Sequence, residues 1–175
     1  MTRTPPAGDN LILIGMPGAG KSTLGRLLAK RLAMTFLDLD QQLEQQHQCP
    51  LQTLVNRLGR DGFRAAEEAC VLGLQCQRTV IATGGSVVYS PSAMSRLQQL
   101  GQILWLDVPL PLLQQRLHNM DQRGLVIAPG QDLAALYRER LPLYQRWADL
   151  RFDGPIQSLT AEVARLAQRL TPAPP

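Results

Sequence analysis

The sequence has little of several things, and each shortage excludes a class of function. Aromatic residues make up 5% of its 175 residues, and no block of lysine or arginine runs anywhere along it. The 18 Lys and Arg against 14 Asp and Glu give a net charge of only +4. With few rings to stack bases and no basic stripe, a nucleic-acid partner is not expected, and a site for an anionic small molecule accounts better for the surplus. Histidine is scarce too, with two residues, which argues against a histidine-based metal centre. The three cysteines, Cys49, Cys70 and Cys76, are odd in number and lack metal-ligand spacing, so they read as buried or half-buried thiols of a reducing compartment. No apolar run is long enough to cross a bilayer, and the polar stretch Met1–Asn10 has no apolar centre. A soluble, cytoplasmic protein without a membrane partner is expected. What remains is an ordinary globular composition, 45% hydrophobic and 18% charged, in a length that suits one domain with a proper core.

Pattern along the chain organises that domain. Met1–Asn10 reads as a frayed arm and Thr171–Pro175 as a frayed tail, because proline continues neither a helix nor a ladder. Between them, apolar runs predict strands over Leu11–Ile14, Thr35–Leu39, Thr79–Ala82 and Ile103–Asp107, with a weaker one near Leu150–Asp153. Helical periodicity predicts Lys21–Leu32, Asp40–His47, Leu51–Leu58, Gly62–Gln77, Pro91–Leu100, Leu110–His118, Leu133–Ala148 and Thr160–Leu170. Such alternation argues for an α/β fold, a parallel sheet with helices on both faces. In that architecture ligands bind outside the carboxyl ends of the strands. The residues just past each strand are therefore the ones to read for chemistry.

Past the first strand lies Gly15-Met16-Pro17-Gly18-Ala19-Gly20-Lys21-Ser22-Thr23, the pattern G-x-x-x-x-G-K-S between an apolar strand and a helix. This is a phosphate-binding P-loop in its proper context. Glycines let the backbone turn tightly, so that N–H groups from Gly18 to Thr23 can cradle a polyphosphate at a helix N-terminus. Lys21 would reach the β- and γ-phosphates, and the Ser22 hydroxyl would ligate Mg²⁺. Nucleotide binding follows.

Past the second strand stands Asp38-Leu39-Asp40. One carboxylate can hold Mg²⁺ through water while the other accepts a proton from a substrate hydroxyl; alternatively, Asp40 simply caps the next helix. Past the third strand, Thr83-Gly84-Gly85-Ser86 either lets a ligand approach the backbone or forms a plain turn. Arg64 precedes Glu67 at helical i, i+3 spacing, where a surface ion pair is the default and an arginine fork aimed at a substrate carboxylate is the alternative. Arg123-Gly124 falls in the polar stretch Asn119–Gln131, which could close over a nucleotide. Arg140 sits before Pro142 and Tyr144, either on a solvated helix face or in a shaped corner. Trp105 and Trp147 read as core or core-edge residues.

Taken together, these residues resemble the shikimate kinases. The matching stretches are Gly15–Thr23 with Leu24-Gly25-Arg26, Phe36-Leu37-Asp38-Leu39-Asp40, Gly62-Phe63-Arg64 with Glu67-Glu68, Ala82-Thr83-Gly84-Gly85, and Arg140-Leu141-Pro142-Leu143-Tyr144. The resemblance covers the chain from about Leu11 to about Asp153, and implies a three-layer, nucleoside monophosphate kinase-like fold. Its sheet would hold five parallel strands in the order 2-3-1-4-5, with a mobile lid over about 119–131. It implies a monomer that transfers the γ-phosphoryl group of ATP, with Mg²⁺, to the 3-hydroxyl of shikimate, in aromatic amino-acid biosynthesis. Asp40 matches the family residue that contacts the ring hydroxyls and serves as base, and Asp38 the one that supports the metal with Ser22. Arg64 and Arg140 match the pair that clamps the shikimate carboxylate, and Gly84 and Gly85 the glycine loop against the ring. Arg123 corresponds to the lid arginine on the ATP phosphates; Arg116 and Gln157 lie where the family touches the nucleotide peripherally.

Two positions depart from the family pattern, both on the acceptor side. Ser86 stands where the family usually has a third glycine, and could crowd the substrate or add a hydrogen bond. Gly124 follows Arg123 where the family usually has proline, which loosens the backbone there. Two other readings share these motifs: a paralogous kinase acting on another hydroxylated carboxylic acid, and a nucleotide-binding module without turnover. Lys21, Ser22, Asp38 and Asp40, all present, speak against the last.

Overall fold

A computed structural model of the protein describes residues 8–118 and 132–154. Its elements are β1 (Asn10–Gly15), α1 (Lys21–Leu32), β2 (Thr35–Asp38), α2 (Leu39–His47), α3 (Leu51–Leu72) and β3 (Thr79–Ala82), then a 3₁₀ turn (Val87–Tyr89), α4 (Pro91–Leu100), β4 (Gly101–Leu106), α5 (Leu110–His118), α6 (Leu133–Trp147) and β5 (Leu150–Phe152). The five strands form one sheet in the order β2-β3-β1-β4-β5, every pairing parallel. This is the order the family resemblance implies. Ile12 lies opposite both Ile81 and Ile103, so the central strand joins three apolar runs. All six residues of β1 are buried, as a parallel strand with both faces covered requires.

Local chemistry explains most boundaries. Ser90 accepts from Ala93 N at 3.0 Å and Pro91 opens α4, an N-cap followed by proline in the first turn. Asp132 caps α6 in the same way, accepting from Ala135 N at 2.6 Å. Pro142 lies inside α6 without ending it; its ring is on the solvent side, where water can satisfy the carbonyl it leaves unpaired.

Two expectations change. The strand begins at Asn10 rather than after it, because Asn10 is a buried tie: its amide donates to Cys76 O (3.0 Å) and Leu100 O (2.8 Å), and its oxygen accepts from Thr79 N (2.9 Å). The helices expected over Leu51–Leu58 and Gly62–Gln77 are the two segments of α3, separated by the non-helical Gly59 as the sequence reading has it, but the second ends at Leu72 rather than Gln77. Gly59 has φ 68° and ψ 179°, with open space around it, so the backbone conformation and not crowding calls for glycine there. Smaller shifts move β4 to Gly101–Leu106, end β2 at Asp38 and end β5 at Phe152. Trp105 and Trp147 are core residues as expected, and Trp105 stacks on Tyr144 at 6.1 Å between centroids. Among the described residues, no helix is long and apolar enough to cross a membrane. The three cysteines are free thiols, Cys70 buried and Cys49 and Cys76 half-buried. The lid region about 119–131, the helix expected over Thr160–Leu170 and the tail Thr171–Pro175 lie outside the described residues.

Candidate active site

The carboxyl ends of β1, β2 and β3 converge on one cleft, and each delivers its loop there. After β1 the backbone passes through left-handed glycines, Gly18 at φ 75° and Gly20 at φ 92°, and enters α1 at Lys21. Those dihedrals turn successive N–H groups inward, making a nest for anions at a helix N-terminus. Lys21 lies across the loop, donating from Nζ to Gly15 O (2.9 Å) and Met16 O (3.0 Å). Ser22 Oγ donates to Asp38 Oδ2 at 2.6 Å. A hydroxyl beside a carboxylate, next to a phosphate nest, is the small oxygen set that suits Mg²⁺, an ion that keeps several waters and leans on substrate phosphates. From α5, Arg116 Nη1 donates to Gly18 O (3.1 Å) and Ala19 O (3.4 Å), so this peripheral candidate does reach the phosphate loop.

The two aspartates after β2 divide their tasks, and the helix cap falls to the other one. Asp38 caps α2, accepting from Asp40 N at 3.1 Å and Gln41 N at 3.5 Å. Asp40, in the first turn, is left free of capping and turns into the cleft. Burial pushes its carboxyl up to about 6, against the pull of Lys21, with Asp38 and Glu44 adding to the rise. Burial likewise pushes Lys21 down to about 8, opposed by Asp40 and helped by Arg140. That poises Asp40 to accept a proton near neutral pH.

After β3, Thr83 Oγ1 donates to Leu13 O at 2.9 Å, fixing the next loop against β1. A side chain at Gly84 would collide with Glu67 and lie 2.9 Å from Asp40 Oδ1; one at Gly85 would lie 2.7 Å from Arg140 Nη1 and 3.1 Å from Pro17. The paired glycines are therefore a floor on which groups from four elements meet, rather than a plain turn. Tyr144 OH completes that floor by donating to Gly85 O at 3.2 Å.

The surface ion pair expected between Arg64 and Glu67 is absent. Glu67 is 5% exposed, and its Oε2 accepts a hydrogen bond from Ser86 Oγ. Ser86 thus adds a hydrogen bond to a buried carboxyl. Burial pushes the Glu67 carboxyl up to about 8; Asp40 adds to the rise, while Arg140, Lys21 and Arg64 oppose it. Arg64 instead lays its guanidinium over the Tyr89 ring at 3.9 Å, and its buried Nε has no hydrogen-bond partner among the described residues. Arg140 is no solvated helix residue either: it is 1% exposed, and its Nε donates to Tyr89 OH at 3.2 Å. Tyr89 had no signal in the sequence, since its partners lie far away along the chain. Arg123 and Gln157 lie outside the described residues.

Comparison with known proteins bears directly on this cleft. The model of the shikimate kinase family matches residues 17–171. The chain belongs to the shikimate kinase family. It is 39% identical over 168 residues to the shikimate kinase of Synechococcus sp. (strain RCC307), covering 93% of this chain and 85% of that one. A solved shikimate kinase from Acinetobacter baumannii, in complex with shikimate, superposes with a TM-score of 0.84 at 30% identity, covering 95% of this chain and 93% of that one. A gluconokinase from Sinorhizobium meliloti, at 17% identity and TM-score 0.53, shares the fold alone. As a member of the shikimate kinase family, the chain is an ATP-dependent small-molecule kinase, and phosphorylation of shikimate is the activity that membership carries.

Proposed function

We propose that this chain transfers the γ-phosphoryl group of Mg·ATP to the 3-hydroxyl of shikimate, with the roles of its residues divided between the two sides of the cleft. One observation carries the acceptor side. Arg140 is almost wholly buried and Arg64 partly so, yet among the described residues no carboxylate lies within ion-pair distance of either. A buried cation without an anion is costly, and two planar forks facing one floor suit a single carboxylate that both can grip.

Phosphoryl transfer asks the protein for positioning and charge neutralisation more than for covalent chemistry. Arg64 and Arg140 hold the acceptor by its carboxylate, and Gly84 and Gly85 let its ring lie against the backbone. Asp40 orients the reacting hydroxyl and accepts its proton as the new O–P bond forms. On the donor side, the backbone from Gly18 to Thr23 cradles the phosphates, and Lys21 leaves the carbonyls of Gly15 and Met16 to follow the transferring charge. Ser22 and Asp38 would hold Mg²⁺, which neutralises phosphate charge when bound.

The test is ADP release from Mg·ATP with shikimate, quinate, gluconate or no acceptor. Turnover that depends on shikimate and exceeds that with the other two acids supports the reading. Turnover with gluconate or quinate but not shikimate would move the chain to another acceptor, and ATP binding without turnover on any acid would make it a binding module.

A further inference from the structure

Tyr89 contacts both arginines read above as the acceptor clamp. Its ring carries the Arg64 guanidinium at 3.9 Å and the Arg140 guanidinium at 5.2 Å. Its hydroxyl accepts from Arg140 Nε at 3.2 Å and donates to Glu139 Oε1 at 2.6 Å. Two like charges converging on one cleft repel each other before any anion arrives. A ring that both approach offers them its negative π cloud, and so offsets part of that repulsion in the absence of ligand. Engaging Arg140 through Nε leaves Nη1 beside Gly85 on the cleft floor, with the Tyr144 hydroxyl also against the fork. Seating the Arg64 guanidinium over the ring restricts the other fork while its Nε stays unpartnered.

We propose that Tyr89 is a positioning residue that sets the spacing and planes of Arg64 and Arg140, and thereby makes the acceptor site selective for a carboxylate. The inference rests on the reading of these arginines as the acceptor clamp. Preorganisation of this kind acts through binding: without the ring, each acceptor must first order two mobile side chains. The neutral carboxamide of the acceptor, which cannot draw the forks together by charge, marks the difference. Loss of the ring should weaken the carboxylate more than the carboxamide, because only the carboxylate uses both forks in full.

The experiment measures kcat and KM for shikimate, for its carboxamide and for MgATP, in wild type, Tyr89→Phe and Tyr89→Leu. Loss of the ring in Tyr89→Leu should raise the shikimate KM about tenfold, with kcat and the MgATP KM changed by less than about twofold. The preference for shikimate over its carboxamide should shrink by about the same factor as the KM rises. Tyr89→Phe keeps the ring and loses the hydroxyl contacts, and should recover most of the loss. If the wild type turns over shikimate but Tyr89→Leu keeps both its shikimate KM and its carboxylate preference, the inference fails alone. A proportionate rise in the KM for MgATP would also overturn it, since that marks general disruption of the fold. If the wild type shows no turnover that depends on shikimate, the acceptor reading fails and takes this inference with it.

Discussion

Where nucleotide phosphates would lie, the protein offers mainly backbone; where an acceptor would lie, it offers mainly side chains. The donor side comes from one continuous stretch, Gly15–Thr23, steadied by Asp38 and by Arg116 on the carbonyls of Gly18 and Ala19. The acceptor side draws Asp40 from α2, Arg64 and Glu67 from α3, Gly84 to Tyr89 from the loop after β3, and Arg140 from α6. Backbone N–H groups read phosphate whatever is attached to it, so the donor side can be generic. Specificity for the acceptor has to come from side chains gathered from distant parts of the chain. The donor side accordingly keeps the familiar motif, while the described departure, Ser86, falls on the acceptor side and engages the buried carboxyl of Glu67.

The sharpest way to break this division is Asp40→Asn. It removes the proposed proton acceptor but leaves the phosphate loop intact, so kcat should fall by about 10²–10⁴-fold with little change in the KM for MgATP, read by steady-state ADP release. A comparable rise in the MgATP KM would place Asp40 on the donor side instead. Gly84→Ala comes next. Its methyl group would meet Glu67 and Asp40, and should raise the acceptor KM by about tenfold, since overpacking of this kind costs on the order of 1–3 kcal/mol.

Acidity sharpens the comparison further. Asp40 must be ionised to take a proton, and burial pushes it up to about 6. The acceptor kcat/KM should therefore fall as pH drops through about 6, and a profile flat down to pH 5 would remove Asp40 from the role of base. The smallest effect is on stability. Glu67 has a folded value pushed up to about 8 against an ordinary 4.5, so the folded state holds this proton more tightly than the unfolded chain. Its contribution is full below 4.5 and is lost as pH rises towards 8. Glu67→Gln lacks this loss, so between pH 5 and pH 8.5 its melting temperature should gain on that of wild type. A constant gap would mean that Glu67 titrates as an ordinary carboxylate.

How much of this was legible in the sequence follows the same division. The strand order came from the family resemblance. Lys21–Leu32 and Pro91–Leu100 are helices with the bounds read from the chain, because their start signals are local: the Gly-Lys-Ser turn in one, Ser90-Pro91 in the other. The break at Gly59 was legible too, since the glycine that interrupts the periodicity takes a non-helical conformation, φ 68° and ψ 179°, between the two segments of α3. Asp38 and Asp40 could each have capped α2, and only the geometry at the end of β2 assigns the cap to Asp38. The i, i+3 spacing of Arg64 and Glu67 suggested an exposed pair. In the fold, Tyr89 and Ser86 take one partner each, and those contacts bridge elements that no local pattern connects. Tyr89 went unnoticed for that reason: the arginine it hydrogen-bonds lies 51 residues further on.

The most direct test of the division between the two sides is a two-substrate initial-rate titration of Arg140→Lys. Lysine keeps the charge but loses the planar fork. The KM for shikimate should rise by about tenfold or more while that for MgATP stays within about twofold. Equal rises in both constants, or a rise for MgATP alone, would show that Arg140 serves the nucleotide and that the cleft is not divided in this way.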